Sequence, residues 1–80
     1  MRQNKFVIAI VKQYDVVRVT AIRDERFASQ SPRYGRHPIA GDVGTIVEDY
    51  GNAFEVECCE RGKAGTLWLE AMYPDELEVV

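Results

Sequence analysis

Histidine and cysteine are nearly absent from this chain. There is one histidine, His37, and the two cysteines, Cys58 and Cys59, are adjacent. Neighbouring cysteines in an extended strand point to opposite faces, so they cannot readily pair with each other. One His and two adjacent Cys do not make a four-ligand set with zinc spacing. No metal and no cofactor is therefore expected. A secreted domain of 80 residues would normally carry a disulfide framework. Its lack argues for a reducing cytoplasm. Long hydrophobic runs are missing too. The run Phe6 to Val11 sits between Lys5 and Lys12, far short of the roughly 20 apolar residues a membrane helix needs. No small-residue cleavage site follows it, so neither a signal peptide nor a membrane contact is expected.

Catalytic constellations are also lacking. General acid–base work needs a poised His or a carboxylate pair held in a cleft, and His37 stands alone in a loop. Cys59 as a nucleophile would need a base and an orienting partner, and the sequence places neither. Glu55 and Glu57, two apart on a strand, read as a solvated face. No catalytic residue is assigned, and an enzyme is not expected.

A chain this short buries only roughly 60–65% of its unfolded surface, which leaves a thin margin for a single core. Without disulfides or a metal, association with a second copy is the expected supplement. Charge is polarised along the chain. Residues 1–41 hold eight Lys/Arg and three Asp/Glu; residues 42–80 hold two and ten. The total is −3, which does not favour a general nucleic-acid binder. Polarised halves can steer a partner or a second copy; alternatively, they interleave in the fold and cancel.

Strand signals dominate what is present. Phe6–Val11 is apolar and β-branched. Over Tyr14–Ile22, Val17, Val19 and Ala21 alternate with Val16, Arg18 and Thr20, which puts the first set inward. Residues 23–41 have no period; loops of this length tend to be functional or disordered. Gly41-Asp42 opens the strand Val43–Glu48. A turn at Asp49–Asn52 leads to Ala53–Glu60, with Phe54, Val56 and Cys58 inward. After Glu60–Lys63 comes the strand Gly65–Glu70. Pro74-Asp-Glu-Leu77 suits one turn of 3₁₀ helix, and Glu78–Val80 closes the chain as a short strand. This pattern describes a single all-β domain: a small SH3-like barrel of about five strands, with an added N-terminal strand in residues 1–13 and a short 3₁₀ turn near the C-terminus.

Several positions carry a resemblance: Asp15-Val-Val17, Gly41-Asp-Val-Gly-Thr-Ile-Val-Glu48, Phe54-Glu-Val-Glu57, Gly62-Lys-Ala-Gly-Thr66 and Asp75-Glu-Leu77. In this order they resemble the pattern of DUF4926, a bacterial family of small uncharacterised domains, over residues 14–80. The resemblance implies an SH3-like barrel and no known activity. The first thirteen residues have no counterpart in that pattern, and the loop Arg23–Ile39 is longer and more basic. Gly-Asp-x-Gly is also similar to the turn of KOW-type barrels, which often touch RNA.

Three candidate sites follow. Arg26, Arg33, Arg36 and His37, with Tyr34 among them and Phe27 nearby, combine guanidinium forks with aromatic faces, which suits phosphates, carboxylates or unstacked bases. Against this, the loop can fold onto its own acidic strands through Glu48, Glu55 or Glu57. If Leu67 and Leu69 face the core, Trp68 faces out as a contact residue; alternatively it packs beneath the long loop or against the N-terminal strand. Phe6, Val7, Ile8, Ile10 and Val11 are apolar on both faces and form the expected oligomer interface. The favoured function is a non-enzymatic interaction or adaptor module that self-associates. Its rivals are a weak RNA- or DNA-binding barrel using the basic loop, and a small-ligand pocket near Trp68.

Overall fold

The computed structural model describes residues 11–60, 62 and 64–80. The expected N-terminal strand, with Phe6, Val7, Ile8 and Ile10, lies outside the described residues. Val11 is described; it is half-buried and packs on the core.

Five antiparallel strands form one sheet: β1 (Val16–Val19), β2 (Val43–Asp49), β3 (Phe54–Cys59), β4 (Thr66–Met72) and β5 (Leu77–Val79). Their spatial order is β4-β3-β2-β1-β5. The expected all-β domain of five strands is thus present. Among the described residues β4 and β5 share no ladder, so the sheet does not close into a barrel by hydrogen bonds. Among the described residues helix is confined to two three-residue 3₁₀ turns, Arg23–Glu25 and the expected Pro74–Glu76.

Alternation builds the core. Val17 and Val19 of β1, Ile46 of β2, and Phe54, Val56 and Cys58 of β3 are buried on one face. β1 is shorter than its apolar pattern suggested. It ends at Val19, and Ala21 is exposed. One more bond follows in the β1–β5 register, the Thr20 N–H donating to the Glu76 carbonyl at 2.7 Å, before the chain turns off into the loop at Arg23–Glu25.

Two bulges bend the sheet. Between β2 and β3 the register slips around Val47, whose carbonyl accepts from Gln13 Nε2 at 2.9 Å. Between β3 and β4, Cys58 pairs with Trp68 and Cys59 with Thr66, which leaves Leu67 as the extra residue. Gly44 is required where β2 meets β3, because a Cβ there would stand 2.6 Å from the Glu57 carbonyl oxygen.

Trp68 is buried, at 1% exposure, so of the two placements left open for it the outward one is not found and the packed one is. The inner face of β4 is Trp68, Glu70 and Met72, set against Cys58, Val56 and Phe54 of β3. Alternation alone leaves this strand ambiguous, because one row holds Leu67 and Leu69 and the other holds Trp68 and Met72 together with the carboxylate of Glu70. The indole and the Met72 side chain carry far more apolar surface, and their burial decides the face.

Candidate functional site

The loop 23–41 is anchored at both ends by carboxylates. Near its start the Arg23 N–H donates to Glu76 Oε2 at 2.6 Å, and the Arg26 guanidinium donates to the same oxygen. The other Glu76 oxygen accepts the Tyr73 N–H at 2.8 Å. Glu76 is fully buried, with 0% exposure. Burial alone would push its carboxyl up. The Arg26 bond and the two backbone N–H donors outweigh it and hold the group below its ordinary range.

Asp42 is the second anchor. Arg36 forks onto it, with Nη1 to Oδ2 at 2.8 Å and Nη2 to Oδ1 at 2.9 Å. The Ile39 N–H and the Trp68 indole N–H also reach Oδ2, at 3.0 and 2.8 Å. Desolvation pushes Asp42 up, but the Arg36, Ile39 and Trp68 donors prevail, and its carboxyl lies lower than usual. The same bond raises Arg36. Gly41 sits in the left-handed region at φ 99°, which lets the chain turn sharply enough to aim Asp42 back at the loop.

Between the anchors the loop lies along β4. The Gly35 and Arg36 N–H groups both donate to the Leu67 carbonyl at 3.0 Å, which satisfies the bulge residue. Arg33 donates to the Leu69 carbonyl at 3.0 Å and Arg26 to the Ala71 carbonyl at 2.8 Å. His37 stacks on Phe27 with ring centroids 5.5 Å apart, and its Nε2–H donates to the Gln30 carbonyl at 2.6 Å. Arg26 lies over the Phe27 and Tyr73 rings, and Arg33 over Tyr34. Tyr34 is half-exposed.

The structure therefore brings Arg26, Arg33, Arg36 and His37 onto one strip, but each is committed to an internal partner. The loop does fold onto its own sheet, through Asp42 and Glu76 rather than through Glu48, Glu55 or Glu57. No family model, curated protein or solved structure matches this chain. Its chemistry must be read from the geometry alone.

An open cavity of about 620 Å³ lies where the loop rejoins the sheet, lined by Arg36, Gly41, Asp42, Val43, Cys58, Cys59 and Leu67. Both thiols are free, Cys58 buried and Cys59 exposed. Burial raises Cys58, and burial with Glu57 nearby raises Cys59, so neither is poised as a thiolate nucleophile. Among the described residues no group of three His, Cys, Asp or Glu could hold a metal ion, and no helix is long and apolar enough to cross a membrane.

Asp42 and Glu76 were not singled out from the sequence. A signal existed for Glu76: it is the third residue of a Pro-led turn, where a Glu reaches back to the N-cap N–H. None existed for Asp42 beyond its place in a turn.

Proposed function

We propose that this chain is a small, non-enzymatic β module that works by contact with another protein, a second copy included. The observation that carries this reading is where the charge goes. Arg26 and Arg36 are neutralised by Glu76 and Asp42, and Arg33 is bound to a carbonyl. The loop thus offers little free positive charge to a phosphate backbone, which weighs against the nucleic-acid reading. Among the described residues, carboxylates of the sheet such as Glu48 and Glu55 have no basic partner, and these two stand directly opposite each other. A protein surface carrying Lys or Arg suits that face. The ordered motifs over residues 14–80 support kinship with DUF4926, with Gly41, Asp42 and Gly44 each holding a structural task. Two free cysteines support a reducing, cytoplasmic location.

Self-association through Phe6–Val11 belongs to the same reading, because a two-faced apolar segment needs more cover than so small a sheet supplies. Sedimentation of the intact chain should show an oligomer, and Ile8→Lys with Ile10→Lys should dissociate it. Titration with single-stranded RNA and duplex DNA at low salt should show no binding. A monomeric intact chain at micromolar concentration would remove the self-association, and salt-sensitive nucleic-acid binding would restore the rival. The cavity beside Asp42 favours one second reading, a small-ligand cleft. Its signature would be a change in Trp68 fluorescence on titration with a metabolite panel, transmitted through the indole bond to Asp42.

A further inference from the structure

In an antiparallel edge strand every second residue turns its N–H and C=O away from its neighbour. On β4 these residues are Leu67, Leu69 and Ala71, and all three carbonyls accept from the loop: Leu67 from Gly35 and Arg36, Leu69 from Arg33, Ala71 from Arg26. Proteins blunt an edge with Pro, Lys, short strands or an inward charge. β4 is seven residues long, has neither Pro nor Lys, and carries one charge, Glu70. The opposite edge, β5, has only three residues. Among the described residues, protection of the longer edge thus falls almost wholly to the loop.

We propose that the outer edge of β4 is a strand-docking edge, and that loop 23–41 is a releasable strap that keeps it from pairing with β4 of a second copy. The strap is fixed by the Glu76 and Asp42 anchors and by the carbonyl contacts between them. Its middle, residues 28–35, is exposed throughout. The occupant follows from the sequence of β4. Antiparallel pairing of two copies about Leu69 sets Leu67 against Ala71 and Glu70 against Trp68, so no like charges meet. The pairing is self-complementary, as a two-fold contact requires.

The strap is tested in the Ile8→Lys/Ile10→Lys background, so that any N-terminal association is already removed and the two ideas fail separately. Arg33→Ala with Arg36→Met removes one carbonyl cap and one anchor. The expected result is a doubling of mass in sedimentation with a strand-type CD spectrum retained. Adding Leu69→Lys should return the mass to that of a monomer. A folded release variant that stays monomeric at millimolar concentration overturns the proposal, as does a dimer that Leu69→Lys leaves intact. If the release variant does not fold, hydrogen exchange on the unaltered chain decides. Loop amides, Gly35 and Arg36 among them, should open at denaturant concentrations below those that open β2 and β3. Opening only with the whole molecule overturns the strap.

Discussion

A carboxylate taken out of water costs several kcal/mol unless its partners replace the lost solvation. Glu76 is fully buried and remains ionised because Arg26 and the N–H groups of Arg23 and Tyr73 converge on it. Removing it strands the Arg26 guanidinium, so Glu76→Ala should cost about 3–5 kcal/mol in urea unfolding. Glu76→Gln keeps an acceptor and should cost less. Asp42 and Glu76 both lie below their ordinary values of 3.8 and 4.5. The unfolded chain therefore takes up their protons first. Their contribution is complete above those values and is lost as pH falls through the lower, folded ones. An acid titration of stability should show that limb, and Glu76→Gln should flatten it. A variant whose acid limb is as steep as that of the unaltered chain would show that other carboxylates govern it.

At the scale of elements, the inward sets of β1 and β3 were legible because their side chains alternate without interruption: Val17 and Val19, then Phe54, Val56 and Cys58. The 3₁₀ turn was legible from Pro74. β4 was not, because the face that carries Trp68 also carries Glu70, and the bulge at Leu67 breaks the row of leucines. The anchors of the loop were hidden for a different reason. Arg26 meets Glu76 across 50 positions of sequence and Trp68 meets Asp42 across 26, and local pattern says nothing about such pairs. The expectation for β4 is direct. Trp68 should emit at short wavelength and resist quenching by acrylamide. Trp68→Phe, which leaves Asp42 short of one donor, should cost about 1–3 kcal/mol. An emission maximum typical of water-exposed indole would mean that the other face of β4 is the buried one.

At the scale of the whole molecule, the polarised charge of the sequence is largely consumed by folding. Arg18–Glu78, Arg23–Asp75, Arg26–Glu76 and Arg36–Asp42 each join the basic half to the acidic half. Arg18 and Glu78 are neighbours on paired strands, whereas the other three pairs pin the loop. Among the described residues, what this pairing leaves over is mostly acidic, with Glu48, Asp49, Glu55 and Glu57 on β2 and β3. Glu48 stands opposite Glu55, and among the described residues the contact that eases the pair is the Tyr50 hydroxyl, which donates to Glu55 at 3.0 Å. Like charges facing each other across a ladder destabilise by roughly 0.2–1 kcal/mol, and salt screens them. Glu48→Lys should therefore stabilise the fold by about 0.5 kcal/mol at low ionic strength, since it turns repulsion into attraction on an exposed face. The gain should shrink as salt is added, and moderate salt should stabilise the unaltered chain more than the variant. Urea unfolding of both proteins at two salt concentrations gives the four numbers needed. A Glu48→Lys protein that is less stable at low salt would mean that the acidic face is not under strain in the isolated chain.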